Sequence, residues 1–310
     1  MDVFETKTLK PMLIGKEDEP FDSPDYLFEL KFDGARCLAY LDKSTELRNK
    51  RNLIQNAKFP ELMAMHRQVR QRCILDGELF VMVDGKPNFF ELQRRTLMSN
   101  AFKIELAVKK LPANFVAFDM LYLDDKLITD LPLTERKTLL SQNVTENECL
   151  AVSRYIETKG CDLYALAVQN TLEGIVAKPK NSRYFFDRRS KDWIKIKYLK
   201  DDDFVICGYI LKSEGVCSLV LGQYCDGMLT YKGHVTLGVS RQDFKHMLAI
   251  KRLDSPSFSV PTGNEEAVWL EPVLVCTVKY MEKTASGSLR QPVFKGLRED
   301  KLATDCIDCH

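Results

Sequence analysis

The most informative part of this sequence is Glu29–Arg36, ELKFDGAR, which places one lysine among two carboxylates and an arginine. Apolar runs at Tyr26–Phe28 and Cys37–Leu41 flank it, and both predict buried strands. Asp33–Gly34 predicts a tight turn between those strands, because glycine adopts positive φ without steric cost. Lys31 would then lie at a strand end beside a turn, where a rigid scaffold often holds a reactive side chain. A surface lysine in an ion pair is the alternative interpretation of this segment alone.

Length and composition favour a soluble protein of two domains. The chain has 310 residues, of which 45% are hydrophobic and 29% are charged, and its formal net charge is +1. A single core is near its size limit at this length. The balanced charge leaves any nucleic-acid contact to local clusters of basic residues. We find neither a signal-peptide pattern nor an apolar run of about 18 residues, which predicts a cytoplasmic protein without a membrane anchor.

The pattern of the chain changes at three consecutive acids, Asp201–Asp203. Residues 1–200 alternate strands and helices without a regular βαβ rhythm, which predicts an α+β domain of antiparallel sheets flanked by helices. Residues 201–303 contain short strands and one helix, a pattern typical of an all-β barrel of the oligonucleotide-binding (OB) kind, with a generic α+β domain as the alternative. Residues 304–310 would form a frayed tail, in which Cys306, Cys309 and His310 are half of a zinc motif.

Three short segments carry the charges expected of a site that handles phosphate. Asp76–Glu78 follows an apolar strand and predicts a carboxylate at a turn, while Glu173–Lys178 has an acid and a base at the two ends of a strand. Lys195 and Lys197 would share one face of a strand, since side chains alternate with period two. Two neighbouring ammonium groups there favour an anion such as phosphate. Plain hairpins and a solvated edge strand are the alternatives.

A basic strip follows at Lys178–Lys200, with nine lysines and arginines against two acids and with aromatic residues interleaved. This composition is typical of a surface that binds a nucleic-acid backbone. The residues from which we predict DNA contacts are Arg183, Arg188, Arg189 and Lys191. Together, these segments indicate a phosphate-handling enzyme that acts on nucleic acid.

The order of the segments resembles the motif series of the covalent nucleotidyltransferases. The series is Glu29–Arg36, Asp76–Glu78, Phe118–Asp119, Glu173–Lys178 and Lys195–Lys197. Arg298–Lys301, REDK, resembles the last motif of ATP-dependent DNA ligases. Lys10–Leu13 and Phe89–Arg95 are similar to the small bacterial and phage ligases and to the ligase module of the bacterial end-joining enzyme.

This resemblance implies a nucleotidyltransferase (adenylation) domain followed by an OB-fold barrel, and a reaction in three steps. Lys31 would form a covalent bond to AMP from ATP, AMP would pass to the 5′-phosphate of a DNA nick, and the 3′-hydroxyl would displace it. Glu173 would bind Mg²⁺ or Mn²⁺, with Glu78 or Asp33 as a further ligand. The implied nucleotide-binding residues are Glu29 (adenine), Arg36, Arg48, Glu78 (ribose), Phe118 (stacking on adenine), Lys178, Lys195, Lys197, Arg298 and Lys301.

The implied partner is nicked duplex DNA, bound by a monomer, with a Ku-like end-joining protein as a further partner and DNA repair or replication as the setting. An RNA ligase and a GTP-using capping-type enzyme are the enzymatic alternatives, and a non-catalytic nucleic-acid-binding protein is the third. The family pattern Ser-Arg-Asn-Gly is replaced here by Leu47–Lys50, LRNK, in which Arg48 fills the arginine position and the glycine is missing. Asp201–Asp203 is the predicted pivot for motion of the barrel.

Overall fold

The chain divides into two units, Met1–Tyr198 and Leu199–His310, which we name the N-terminal unit and the C-terminal unit. A computed structural model describes residues 2–212, 217–256, 258–284 and 287–308. The boundary therefore lies two residues before the position that we predicted from the change of pattern at Asp201–Asp203.

The N-terminal unit mixes strands with short helices. Its strands are β1 (Leu13–Glu17), β2 (Ser23–Leu30), β3 (Ala35–Leu41), β4 (Thr45–Asn49), β5 (Cys73–Val83), β6 (Lys86–Pro87), β7 (Ala113–Leu123), β8 (Lys126–Leu127), β9 (Leu150–Val152), β10 (Tyr155–Thr158), β11 (Gly174–Pro179) and β12 (Arg189–Lys197). Its α-helices are α1 (Val3–Thr6), α2 (Phe89–Leu97), α3 (Ala101–Lys110), α4 (Leu133–Asn143) and α5 (Gly160–Gln169). Three 3₁₀ turns lie at Asn56–Lys58, Pro60–Leu62 and Met65–Gln68.

Two sheets form the body of this unit. The larger has the strand order β4-β3-β5-β7-β8, with β6 on β5 and β9 on β7, and the smaller has the order β1-β12-β11-β2-β10. One apolar core holds side chains from both sheets, among them Tyr40 and Ile74 from the larger and Val176 and Trp193 from the smaller. The outer face of the larger sheet packs against α2 and α4, and that of the smaller sheet against α5. The inner faces of the two sheets therefore face each other, as the alternation of apolar residues along their strands requires.

The segment Lys31–Gly34 crosses from one sheet to the other. β2 belongs to the smaller sheet and β3 to the larger, so our prediction of a hairpin turn at Asp33–Gly34 is wrong. Gly34 does not have a positive φ. It is needed for close approach, because a Cβ atom there would lie 2.1 Å from the carbonyl oxygen of Leu79. The crossing holds Lys31 between the two sheets.

The second predicted turn, at Asp76–Glu78, is also wrong. These residues lie inside the continuous strand β5. A Cβ atom at Gly77 would lie 2.4 Å from the carbonyl oxygen of Val116 and 2.4 Å from the ring of Phe115. Glycine at this position therefore serves the close packing of β5 on β7, and an Asp-Gly pair does not distinguish this role from a turn.

The C-terminal unit is mostly β. Its elements are β13 (Lys200–Leu211), β14 (Cys217–Cys225), β15 (Met228–Val235), α6 (Arg241–Leu248), β16 (Arg252–Leu253), β17 (Val268–Tyr280), β18 (Val293–Arg298) and a 3₁₀ turn at Ala303–Asp305. The strands form one sheet in the order β15-β14-β13-β17-β16, with β18 on β17. Helix α6 begins with a capping box formed by Ser240 and Asp243, and its Met247 packs into the core of the unit.

Two predictions about this unit are wrong. Asp201–Asp203 does not form a pivot between units, because all three residues lie in β13 and pair with β17. The tail is not frayed up to Asp308: Cys306 is buried, Ile307 bridges to Tyr224, and the Asp308 carboxylate pairs with Lys232 and Lys283. A short acidic or cysteine-containing run has no apolar periodicity, so these tertiary partners could not be predicted from the local pattern. Cys309 and His310, which complete the half motif for zinc, lie outside the described residues.

Three findings concern the described residues as a set. The nine cysteines among them are free thiols. No three of their His, Cys, Asp or Glu side chains form a group that could hold a metal ion. No helix in these ranges is both long and apolar enough to cross a membrane.

Candidate active site

Lys31 meets Glu173 where β2 and β11 lie side by side. The Lys31 Nζ donates to Glu173 Oε2 at 2.7 Å, and the Lys31 backbone N–H donates to the Gly174 carbonyl at 2.9 Å. Gly174 has a φ of 133°, a conformation that favours glycine. The Glu173 side chain is 5% exposed and that of Lys31 is 22% exposed, so the pair lies at the edge of the interior and the lysine can still be reached.

A cavity opens between the two sheets beside Lys31. Its lining contains six of the residues that we predicted for the site: Glu29, Lys31, Arg36, Glu78, Phe118 and Lys178. Ile14, Leu30, Phe32, Val176 and Trp193 complete it. Residues that are far apart in sequence thus line one space that combines apolar walls with a few convergent charged groups, which is the usual composition of a small-molecule site.

A buried group of charges forms the closed end of this cavity. Glu29 Oε1 lies 2.7 Å from the Lys137 Nζ and 3.0 Å from the Lys178 Nζ, and all three side chains are at most 3% exposed. Burial opposes ionisation of Glu29, but the two lysines outweigh it and lower the pKa of Glu29. Burial lowers the pKa of Lys178 to about 8, against the effect of Glu29. The Lys178 Nζ also lies 4.6 Å from the ring centroid of Phe118 and 4.1 Å from that of Trp193.

Arg36 is held on the wall of the cavity by Asp76. Its Nε and Nη2 each donate to an Asp76 carboxylate oxygen at 2.6 Å, and the Tyr184 hydroxyl donates to the same carboxylate at 2.6 Å. The guanidinium lies 4.4 Å from the ring centroid of Phe118. Such a paired, planar contact fixes the orientation of Arg36. The sequence did not indicate Asp76 or Tyr184 as its partners.

Glu78 is the carboxylate whose protonation the site changes most clearly. Burial raises the pKa of Glu78 to about 8; Lys31 and Arg36 act against this shift, whereas the charges of Glu173 and Asp76 add to it. Burial likewise raises the pKa of Glu173, and the nearby Asp33 adds to that shift. Glu78 and Glu173 therefore both lie near enough to Lys31 for its charge to oppose the rise of their pKa values.

We expect Glu78→Gln to flatten the pH dependence of stability. Between the ordinary pKa of 4.5 and the folded value of about 8, the folded protein holds a proton that the unfolded chain has lost. The unfolding free energy of the wild type should therefore fall as the pH rises through this range, and that of Glu78→Gln should fall less. Urea unfolding at about pH 5.5 and about pH 8.5 measures the difference. Glu105→Gln, at an exposed position, is the control; a decline in Glu78→Gln equal to the wild type would contradict the expectation.

Lys195 and Lys197 lie on β12 at the end of the cavity where Lys31 meets Glu173. They pair across the sheet with Val176 and Gly174, while the alternate residues Ile194 and Ile196 pack in the core under α5. Lys195 forms an ion pair with Glu17 at 2.9 Å. Burial lowers the pKa of Lys197, and the neighbouring Lys195 lowers it further. The two ammonium groups thus lie beside the cavity without lining it.

Arg48 lies on the same face of the larger sheet as Arg36 but does not line the cavity. It pairs with Leu38 across the sheet, and its guanidinium binds Glu46 at 2.5 Å and the Asn52 carbonyl at 3.0 Å. In the turn that follows β4, Asn52 has a positive φ of 64°, and the Asn49 side chain accepts hydrogen bonds from the backbone N–H groups of Arg51 and Leu53. An asparagine therefore provides the left-handed residue of this turn, whereas Lys50, at the position of the missing glycine, does not have a positive φ.

The remaining predicted residues lie elsewhere. Arg183, Arg188, Arg189 and Lys191 are exposed on the loop between β11 and β12 and at the start of β12. Arg298 and Lys301 belong to the C-terminal unit, where both bind Asp203, at 3.3 and 2.9 Å, and Arg298 also binds Asp300 at 2.6 Å.

Two site residues were missed. Trp193 could have been found, because it has the same period-two position on β12 as Lys195 and Lys197. Lys137 could not, since it lies in the middle of α4 in a segment that carries no motif and its contact with Glu29 is wholly tertiary.

Comparison with known proteins agrees with this arrangement. The chain matches the family described as ATP dependent DNA ligase domain over residues 11–197, and ATP dependent DNA ligase C terminal region over residues 212–301. It is 31% identical over 319 residues to the multifunctional non-homologous end joining DNA repair protein LigD of Mycobacterium tuberculosis H37Rv, covering 98% of this chain but 40% of that protein. It is 32% identical over 293 residues to the SPbeta prophage-derived DNA ligase-like protein LigB of Bacillus subtilis, covering 94% of this chain and 99% of that protein.

Two solved structures share the fold. The ligase domain of M. tuberculosis LigD aligns with a TM-score of 0.57 at 28% identity, over 97% of this chain and 99% of that one. A Lig E DNA ligase aligns with a TM-score of 0.64 at 18% identity, over 94% of this chain and 100% of that one, which shows the fold alone. The predicted nucleotidyltransferase domain followed by an OB-fold domain is thereby confirmed. The chain belongs to the ATP-dependent DNA ligase family.

Proposed function

We propose that this chain is an ATP-dependent DNA ligase that seals nicks between a 5′-phosphate and a 3′-hydroxyl during DNA repair. The observation that carries the proposal is the position of Lys31, which lines the cavity between the two sheets and is hydrogen-bonded to Glu173 at 2.7 Å. The chain spans about 40% of the length of the end-joining relatives that it matches, so the activity of those whole proteins is not transferred to it.

In the first step the Lys31 amine attacks the α-phosphorus of ATP, a P–N bond forms and the P–O bond to pyrophosphate breaks. An amine attacks only when it is neutral. Glu173 is the base within hydrogen-bond distance of the Lys31 Nζ, and its raised pKa makes it a better proton acceptor than an ordinary carboxylate. Lys195 and Lys197 would stabilise the negative charge on the α-phosphate, since phosphoryl transfer depends mainly on positioning and on charge.

The carboxylates near Lys31 fit a Mg²⁺ or Mn²⁺ ion that is bound together with ATP. Mg²⁺ commonly takes only one or two carboxylates from the protein and the rest of its ligands from phosphates and water. Glu173 and Glu78 would supply those carboxylates, with Asp33 near Glu173. Burial raises the pKa of Glu78, and a bound cation would favour the ionised form of this carboxylate. The metal would supply charge neutralisation on the phosphates.

Contacts to DNA and to pyrophosphate extend the same proposal. The four exposed basic residues that begin at Arg183 would bind the DNA backbone through its phosphates. Arg298 and Lys301 would orient the pyrophosphate of ATP, for which they must exchange their bonds to Asp203. Because several relatives are named as end-joining proteins, we propose a Ku-like protein as a partner. We expect the chain itself to act as a monomer.

The test is to incubate the protein with ATP labelled on the α-phosphate and with a nicked DNA duplex. A DNA ligase forms a labelled protein adduct and seals a 5′-phosphorylated nick, while a nick with a 5′-hydroxyl serves as the control and stays open. Labelling by GTP instead of ATP would identify a capping-type enzyme, and preferred sealing of nicked RNA an RNA ligase. Nick binding with no adduct from any nucleotide would leave only a non-catalytic binding protein.

A further inference from the structure

The buried charges at the closed end of the cavity do not balance. Lys137 on α4 and Lys178 on β11 both contact the same oxygen of Glu29 on β2, which gives two ammonium groups for one carboxylate. Glu29 and Lys178 line the cavity, whereas the residues that line it do not include Lys137. The Lys137 Nζ instead lies 5.7 Å from the ring centroid of Tyr155, which belongs to β10, whereas Lys178 belongs to β11, the strand on the other edge of β2.

We propose that Lys137 is a positioning residue for the base of the nucleotide: it neutralises Glu29 from behind and so leaves Lys178 able to donate a hydrogen bond to the bound base. This inference rests on the proposed function, because it takes the cavity to be the site of ATP. Lys137 itself touches no substrate.

The pattern of donors and acceptors explains why this matters. A carboxylate only accepts hydrogen bonds and an ammonium group only donates them. Adenine offers a donor at its 6-amino group next to an acceptor at N1, which matches Glu29 beside Lys178. Guanine offers the same two positions in reverse order, with an acceptor at O6 and a donor at N1. A site built on buried polar groups rejects a ligand that leaves them unpaired.

Lys178 can serve the base only if Glu29 has another counterion. Without Lys137, the buried Glu29 would depend on Lys178 alone, since an unpaired buried charge costs several kcal/mol. The hydrogen bonds of Lys178 would then be directed to Glu29, and N1 of adenine would lose its donor. With Lys137 present, the excess positive charge lies on the cavity side, where a base acceptor can meet it.

The test compares Lys137→Met with Lys137→Arg in formation of the lysyl-AMP adduct from ATP and from an ATP analogue whose N1 is replaced by C–H. We expect the wild type to prefer ATP by about 10- to 100-fold in kcat/KM, the value of one hydrogen bond to a charged group. Lys137→Met should reduce this preference to about threefold or less, mainly by raising KM for ATP, and Lys137→Arg should restore it. Lys126→Met, at an exposed lysine of the same unit, is the matched control.

A merely structural role would lower activity with both nucleotides and leave their ratio unchanged, which would overturn the inference, as would a wild type that does not distinguish them. Should the methionine variant not fold, Lys137→Gln replaces it; the glutamine has no charge to neutralise Glu29, so the same loss of preference is expected. An absence of any AMP adduct on the wild type would overturn the proposed function itself, and this result differs from an adduct that forms with an unchanged ratio.

Discussion

Lys31→Ala is expected to leave the protein without covalent AMP and to reduce ATP-dependent nick sealing by about 10⁴-fold or more, as removal of a nucleophile generally does. The reason is geometric. Lys178 is buried beside Glu29 and apart from Lys31, and Lys195 is paired with Glu17, so neither can take the place of Lys31 between the two sheets. Gel analysis after incubation with α-labelled ATP measures the adduct, and a nicked duplex measures sealing.

Lys31→Arg is the matched variant for this result. It keeps a positive charge that can pair with Glu173, but a guanidinium is not a nucleophile at neutral pH because it stays protonated. Like Lys31→Ala, Lys31→Arg should form no AMP adduct. Both variants should still seal a nick whose 5′ end already carries AMP, since that step does not need the lysyl-AMP bond. An adduct on either variant would show that another residue is the nucleophile.

The sequence could predict the residues of the site better than the path of the chain between them. Glu29, Arg36, Glu78, Phe118 and Lys178 were all predicted, and all line the cavity with Lys31. Their chemistry depends on residue type and order, which a sequence displays directly. Which strands become neighbours depends on packing over long distances, which local signals do not report.

The two glycines of the motifs illustrate that limit. An Asp-Gly pair between apolar runs is a strong local signal for a turn. Both such pairs instead place glycine where another backbone comes too close for a Cβ atom, at 2.1 Å for Gly34 and 2.4 Å for Gly77. The same Asp-Gly pair can therefore allow a positive φ in a turn or a close approach of another backbone in a sheet. Only the neighbouring strand decides between them, and that strand is remote in sequence.

The buried pair of Arg136 and Asp119 should have the largest effect on stability. Both side chains are fully buried; Arg136 Nε and Nη2 each donate to Asp119 at 2.8 Å, and Nη1 donates to the carbonyls of Leu131 and Ser182 at 2.6 and 2.9 Å. Arg136→Ala would leave a carboxylate and two carbonyls buried without these donors. We expect a loss of about 3–5 kcal/mol in the unfolding free energy, measured by urea unfolding.

The double variant Arg136→Met with Asp119→Leu shows how much of the lost unfolding free energy comes from leaving Asp119 buried without a partner, and how much from losing the ion pair itself. Replacing both charges by apolar side chains of similar volume is often neutral or stabilising, so the double variant should recover most of the loss. Lys159→Ala, which removes an exposed pair with Asp162, should cost at most about 1 kcal/mol. A double variant as unstable as Arg136→Ala would show that the pair itself stabilises the fold. Asp119 adjoins Phe118 on β7, and Arg136 adjoins Lys137 on α4. The ion pair therefore fixes β7 against α4 beside the closed end of the cavity. For this reason Arg136→Ala should also weaken ATP binding.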